Sequence, residues 1–398
     1  MKILQVTHVF KPLWESGGMA RVAYEISRGL VERGHELTVY TTNRSFYSTN
    51  LETNKQVCLE GMKIYYFENL RKYFPWKTLP PLPYYLPFIA RKEIKNFDIV
   101  HIHGYRTILS VIVHHYAKKY GIPYVLQPHG SLPRIIEKQR LKKLYDWVWG
   151  NRILRDASKL IAVSKEEAEY ARLMGVGGEK ISVIYNGMDI ESFKNLPEYG
   201  RFKEKYGIGG KMILYLGRIH KSKGIDIVIN AYSQLIKEIN EDIAFVIAGS
   251  DDGYKAELEK LIKKLNLRDK IKFTGFVDEG DKISAYVDAD LFVHTVQYMG
   301  GVGLTPLEAI LCGTPIIVTE ECGEVVKEAN CGYLVKYGDV HDLKEKMKLL
   351  LQRPELGQQM VERGKKYILK NLAWDKVLER VLEVYLEAMG GYENLRYR

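Results

Sequence analysis

Short apolar runs recur along the whole chain, each followed by a polar turn and then by a stretch with helical spacing, and this rhythm limits what the sequence can fold into. In the first half the runs are Ile3 to Val9, Glu36 to Thr42, Met62 to Phe67, Ile99 to Ile102, Tyr124 to Gln127, Lys159 to Val163 and Ile181 to Tyr185. In the second half they are Met212 to Leu216, Ala244 to Ala248, Ile271 to Thr274, Leu291 to His294, Pro315 to Val318 and Gly332 to Val335. Several are apolar on consecutive residues, as parallel strands covered on both faces are. Met19 to Arg33 places Val22, Ile26, Leu30 and Val31 on one helical face. Strands alternating with helices build parallel sheets, and 398 residues exceed what one ordinary core holds. Two doubly wound α/β domains are therefore expected, the first over 1–190 and the second over 191–373, with the boundary between Asn186 and Leu196. A long helical pattern from Trp374 to Met389 closes the sequence and sets 374–398 apart.

Hydrophobic residues at 46% and charged residues at 27% suit a globular chain, and no run of about twenty apolar residues exists to span a membrane. Met1-Lys-Ile-Leu-Gln-Val reads as a first strand, since no small-residue cleavage site follows it. The four cysteines, Cys58, Cys312, Cys322 and Cys331, show no C-x-x-C pair and no regular spacing, which argues against a zinc site or a disulfide framework and for a cytoplasmic setting. A formal charge of +10 favours anionic partners: nucleotide diphosphates, phospholipid head groups or nucleic acid. Nucleic acid is set aside, because no zinc finger, helix-turn-helix signature or RNP-like strand is present.

Two segments carry chemistry. Gly300-Gly-Val-Gly-Leu-Thr-Pro-Leu-Glu308 reads as a glycine loop feeding a helix, with Thr305 as N-cap, Pro306 at the first helical position and Glu308 at the capping-box spacing. It is either a well-capped helix or a place where unpaired amides and the helix dipole hold an anion. Upstream, the run Ile213 to Leu216 ends in Gly217-Arg218 and a turn containing Lys223-Gly224. Two cations at a strand end suggest a clamp on a diphosphate.

Taken with Gly17-Gly18, Asp98-Ile-Val-His-Ile-His103, Pro128-His129-Gly130, Ala162-Val-Ser164 and Asn186-Gly-Met-Asp189, these segments resemble, in order and over residues 1 to about 375, the retaining nucleotide-sugar-dependent glycosyltransferases of family 4. The resemblance implies the GT-B fold: two Rossmann-like domains facing across a cleft, with the terminal helix crossing back to the first. It also implies an acceptor-side first domain and a second domain that binds the nucleotide sugar. Arg218 and Lys223 then stabilise the departing diphosphate, and His129 lies beside the donor sugar. Gly17, Gly18, Gly301, Val302, Gly303, Leu304 and Thr305 let backbone approach the phosphates or sugar, and Glu308 accepts from the ribose hydroxyls unless it serves as a reciprocal cap. Such a clamp substitutes for a metal, and the chain is read as lacking an Asp-x-Asp motif, so neither metal nor cofactor is expected. His101 and His103 share a strand face, but no neighbouring Cys or acidic residue completes a metal set. Members of the family commonly carry E-x₇-E, whereas this chain has Gly300 in place of the first glutamate and keeps Glu308. That excludes a carboxylate nucleophile at 300 and leaves a front-face mechanism in which the leaving phosphate helps to deprotonate the acceptor.

The expected reaction is hexose transfer from a UDP- or GDP-sugar to a glycan or lipid-linked acceptor. The alternatives are a soluble-acceptor disaccharide or disaccharide-phosphate synthase, and an inactive nucleotide-sugar-binding regulator. Two segments bear on the acceptor. Leu70 to Arg91 mixes five prolines with Phe74, Trp76, Tyr84, Tyr85 and Phe88, and reads either as a surface loop with a packed helix or as an acceptor or membrane-interface element. Arg134, Lys138, Arg140, Lys142 and Lys143 precede Trp147 and Trp149, and read either as a solvated basic helix or as a contact with an anionic membrane surface on the cytoplasmic side.

Overall fold

The computed structural model describes residues 1–13, 18–43, 51–69, 82–133, 139–297 and 303–390. The chain forms two compact units, one of Met1–Gly187 with the chain from Trp374 onward, the other of Met188–Ala373.

The first unit holds an eight-stranded sheet: β1 (Lys2–Val6), β2 (Glu36–Thr42), β3 (Gln56–Leu59), β4 (Met62–Phe67), β5 (Ile99–His103), β6 (Tyr124–Gln127), β7 (Lys159–Ala162) and β8 (Ile181–Val183). Their order is β3-β4-β2-β1-β5-β6-β7-β8, parallel except for β3, which pairs antiparallel with β4. Sequence reading missed β3 at the sheet edge, where Gln56 and Cys58 are exposed, Val57 and Leu59 are half-buried, and the apolar run is only three residues long. β1 shows why the central strands are apolar on consecutive residues. Ile3 faces one core with Val39, Ile64, Ile99 and Val125, and Leu4 and Val6 face the other with Val100, Ile102 and Leu126. Helices cover both faces, so both need apolar side chains.

The helix Trp374–Ala388 belongs to this first unit. Val377, Leu378, Val381, Val384 and Tyr385 fall on one stripe and are buried in the core that contains Ile3 and Ile99. It lies so close to the helix Gly18–Glu32 that a Cβ on Gly29 would stand 2.1 Å from Leu378 Cδ1. Arg33 adds an ion pair to Asp375 at 2.9 Å.

The second unit holds a six-stranded, wholly parallel sheet: β9 (Lys211–Leu216), β10 (Ile243–Ala248), β11 (Ile271–Gly275), β12 (Leu291–His294), β13 (Ile316–Thr319) and β14 (Tyr333–Val335). The order β11-β10-β9-β12-β13-β14 is the doubly wound dinucleotide-fold order, in which the chain runs outward from β9 on one side and restarts beside it at β12. Ligands in such sheets sit at the carboxyl ends of the strands where the order reverses. That rule points to the loops after β9 and β12. In the Leu70 to Arg91 segment the structure has a helix, Leu86–Glu93, with Pro87 in its first turn, where a missing N–H costs nothing. Residues 70–81 lie outside the described residues.

Candidate functional site

β9 ends at Leu216, and the backbone then presses against the end of β10. A Cβ on Gly249 would stand 1.9 Å from the Gly217 carbonyl oxygen, so a side chain at 249 would force the two strand ends apart. Arg218 follows, 72% exposed, with one guanidinium nitrogen 2.6 Å from Asp252. Lys223 closes a short 3-10 turn begun by His220, whose ring accepts from the Ser222 amide. Gly224 then takes φ +60, which favours glycine, and starts the helix Ile225–Leu235.

The turn is pinned to the neighbouring strand end. Thr295, the residue after β12, donates its hydroxyl to the carbonyls of Lys223 and Gly224 at 3.1 and 3.0 Å, and the Gln297 amide donates to Ser222 O at 3.1 Å. The loops after β9 and β12 are thus one hydrogen-bonded piece. Lys223 is half-buried within it. Burial, reinforced by the Arg218 cation, holds its ammonium below the usual lysine range. Among the described residues no carboxylate lies within 4 Å of it. His294, at the end of β12, is buried with its ring plane nearly parallel to those of Tyr215 and Phe292, and neither ring nitrogen has a partner among the described residues. Sequence reading did not single out His294, and only its place at a strand end next to the glycine loop could have flagged it.

Residues 298–302, which include Gly300, Gly301 and Val302, lie outside the described residues, as does Gly17. The helix beyond them runs Leu304–Cys312, and its N-cap is Gly303 in an extended conformation, with no side-chain cap. The capping box expected from Thr305 and Glu308 is therefore not formed. Pro306 falls at the third helical position, where its missing N–H is one that no intrahelical acceptor would have taken, so the helix can begin two residues before it. Among the described residues the amides of Gly303, Leu304 and Thr305, at this helix start, have no acceptor. Glu308, 13% exposed, is held instead by Lys282 at 3.1 Å and by the Tyr286 hydroxyl at 3.0 Å. Each oxygen keeps a further acceptor site for another donor.

The expectation that the chain lacks an Asp-x-Asp motif is wrong: Asp288-Ala-Asp290 is one, and its carboxylates are structural. Asp288 is fully buried and accepts from the amides of Gly200, Phe202 and Lys203, at the start of the helix Arg201–Tyr206. Asp290 accepts from the Met212 amide and pairs with Lys203. Among the described residues no cluster of three metal-ligating side chains occurs. Of the cysteines, Cys58 is exposed, Cys312, Cys322 and Cys331 are buried, and all four are thiols.

In the first unit Gly18 opens the helix Gly18–Glu32 beyond the β1 loop, and His129 follows β6. His129 has φ +54, and the turn is tied down by Glu167, whose carboxylate accepts from the Gly130 amide at 2.5 Å and the Val163 amide at 2.9 Å. His129 Nε2 lies 2.9 Å from His103 Nδ1. His101 and His103, considered as a metal pair in the sequence, are instead fully enclosed and hydrogen-bonded to Tyr385 and Gln5.

Comparison with known proteins agrees with this fold and these motifs. The model of Glycosyltransferase Family 4 matches residues 16–192, and that of Glycosyl transferases group 1 matches residues 200–367. The chain belongs to this glycosyltransferase family and has its GT-B fold. The family's members are retaining hexosyltransferases that use nucleotide sugars, and the chain is an enzyme of that kind. It is 27% identical to the uncharacterized glycosyltransferase MJ1607 of Methanocaldococcus jannaschii, over 98% of this chain and 99% of that one. It is 24% identical to the N-acetyl-alpha-D-glucosaminyl L-malate synthase of Bacillus anthracis, over 95% and 96%. The crystal structure of Anabaena Alr3699/HepE in complex with UDP superposes with a TM-score of 0.77 at 21% identity, covering 96% of this chain and 99% of that one.

Three buried histidines, His101, His103 and His294, with half-buried His129, set a pH dependence. Burial pushes His101, His129 and His294 down to about 3 and His103 well below its usual range, so each takes up a proton on unfolding rather than in the fold. Each therefore costs roughly tenfold in the folding equilibrium per pH unit below about 6.5. Glu167 acts the other way: burial raises it from 4.5 to about 7, so its contribution is lost as pH rises through that window. Four histidines outweigh one carboxyl. The thermal midpoint should fall as pH is lowered from 6.5 to 4.5 in a series of fluorescence melts, and a flat or rising midpoint would contradict the burial of these rings.

Proposed function

We propose that the enzyme moves a hexose from a UDP- or GDP-linked donor to a glycan or lipid-linked acceptor, without a metal, through a diphosphate site built on the loops after β9 and β12. The carrying observation is Lys223, a half-buried ammonium beside a second cation and with no carboxylate within reach among the described residues. An anion is what this arrangement lacks. In this reading Lys223 and Arg218 take the diphosphate, with Asp252 giving way to it at Arg218. The Gly303, Leu304 and Thr305 amides, with the backbone of Gly301 and Val302, meet the distal phosphate or the sugar. Glu308 accepts from the ribose hydroxyls, and His129 and the Gly17-Gly18 backbone lie on the donor side of the first unit. The UDP in the Anabaena structure supports a uridine donor.

In the transfer itself the bond from the anomeric carbon to the phosphate oxygen breaks, and the acceptor oxygen bonds to that carbon on the same face. The acceptor's proton passes to the leaving phosphate, whose charge Lys223 and Arg218 stabilise. No carboxylate at 300 is present to form a covalent glycosyl-enzyme.

A lipid-linked acceptor is favoured by the surface of the first unit. The helix Gln139–Tyr145 buries none of its residues, and Arg140 and Lys143 on it stand out beside exposed Leu141 and Leu144. Trp147 is 77% and Phe88 69% exposed. A groove of about 870 Å³ in the same unit is lined by Pro87, Val111, Ile112, Tyr116 and Trp149 and edged by Lys119, Arg152 and Lys118, the last paired with Asp156 at 2.6 Å. Rings and cations together suit a head-group region, where each cation gains roughly 1 kcal/mol from anionic lipid. Among the described residues no helix is long and apolar enough to cross a membrane.

Two measurements test this reading. Arg218→Ala and Lys223→Ala should each lower transfer by about a hundredfold, the size of a lost charge stabiliser, with little change in melting temperature and with activity surviving EDTA. Wild-type kcat in both variants, or a strict requirement for Mn²⁺ or Mg²⁺, would refute the clamp. The protein should also sediment with phosphatidylglycerol vesicles at low salt and be released at high salt; a protein that stays in the supernatant at both would favour the soluble-acceptor synthase.

A further inference from the structure

Alternation along β1, β5 and β6 sends Gln5, His101, His103 and Gln127 to the sheet face that Ile3, Ile99 and Val125 occupy. The helix Trp374–Ala388 covers this face and brings Tyr385, fully buried, onto it. A hydrogen-bonded chain results. His101 Nδ1 lies 2.7 Å from the Tyr385 hydroxyl, and Gln5 Nε2 donates to that hydroxyl at 2.9 Å. Gln5 Oε1 lies 2.6 Å from His103 Nε2, and His103 Nδ1 lies 2.9 Å from His129 Nε2. The rings of His103 and His129 are tilted by only 21° with centroids 5.2 Å apart, which suits an in-plane N–H···N bond.

The proton positions follow link by link. Gln5 donates through Nε2 to Tyr385, so its Oε1 accepts and His103 Nε2 carries a proton. The imidazoles are neutral, since burial and their neighbouring rings hold protonation far below the usual range. His103 Nδ1 is then bare and accepts from His129 Nε2–H, which leaves His129 Nδ1 bare in turn. At the far end Tyr385 donates to His101 Nδ1. His101 Nε2–H and Gln127 Oε1, two buried atoms without a full hydrogen bond, are a matching donor and acceptor. Turning the Gln5 amide over would reverse every link and put the His129 proton on Nδ1. The orientation of one amide thus decides what His129 presents, and Tyr385 holds that amide.

We propose that Gln5, His103 and Tyr385 are positioning residues that lock His129 in the tautomer with a bare Nδ1, where it accepts from a hydroxyl of the donor sugar; the proposal rests on the reading that His129 lies beside that sugar. No hydrogen bond to His129 Nδ1 occurs among the described residues. The terminal helix then has a role beyond closing the first unit, because it supplies the hydroxyl that orients the network.

The test is long-range ¹H–¹⁵N correlation NMR on the full chain labelled at histidine, paired with kinetics. Wild type should show His129 protonated at Nε2 and bare at Nδ1. Tyr385→Phe and Gln5→Leu should each mix or reverse that tautomer and lower kcat/KM about fivefold to tenfold, the scale of one neutral hydrogen bond. Gln5→Glu, which still accepts from His103, should keep both the tautomer and most of the activity. A proton on His129 Nδ1 in wild type, or an unchanged tautomer in both Tyr385→Phe and Gln5→Leu, would overturn the proposal. If the tautomers behave as stated but His129→Ala transfers at the wild-type rate, the placement of His129 beside the donor is what fails, and the proposal falls for that separate reason.

Discussion

The hydroxyl of Thr295 holds the carbonyls of Lys223 and Gly224, and through those two bonds the strand end that carries the cation becomes part of the strand end that leads to the glycine loop. Both loops issue from the point where the strand order of the second unit reverses. The consequence is electrostatic. A lysine on a mobile surface turn would be solvated and would gain little from a phosphate. Held half-buried in a backbone turn and next to Arg218, Lys223 remains a cation at the cost of desolvation, which a doubly charged diphosphate offsets. The unpaired amides of Gly303, Leu304 and Thr305 are aligned dipoles at a helix start, and they need no side chain to contribute.

The fold was legible because both sheets are buried on both faces, so nearly every parallel strand announces itself as an apolar run. The strand that was missed, β3, is the antiparallel one at the sheet edge, where only Val57 and Leu59 are half-buried between exposed Gln56 and Cys58, too short an alternation to stand out. The start of the helix at Leu304 was misread for a related reason. Proline marks the first turn of a helix but not which position in it, because the first several N–H groups are all without intrahelical acceptors.

The elements of the candidate site were legible where residues are placed by strand ends, and less so where they act through one another. Arg218 and Lys223 fall after a strand end that its apolar run locates, whereas the 303–305 amides come from the resemblance, since the spacing put the helix start two residues too late. Asp288 and Asp290 carry a metal-site sequence, yet backbone amides and Lys203 use their carboxylates, a fact that depends on residues 78 to 88 positions away. His101 and His103 looked like an incomplete metal pair because their partners come from β1 and from the final helix, 98 and 284 residues distant. Polar side chains on a buried strand face demand partners, and that demand was readable; the identity of the partners was not.

In the proposed site Lys223 completes the contacts to a nucleoside diphosphate. Isothermal titration of UDP and of uridine, with GDP and guanosine as the second pair, into wild type and Lys223→Met tests it without an acceptor or turnover. Wild type should bind one diphosphate far more tightly than its nucleoside, and Lys223→Met should weaken the diphosphate by about tenfold to a hundredfold, the loss of a hydrogen bond to a charged group, while leaving the nucleoside unchanged. Equal affinity of the variant and wild type for the diphosphate would contradict it.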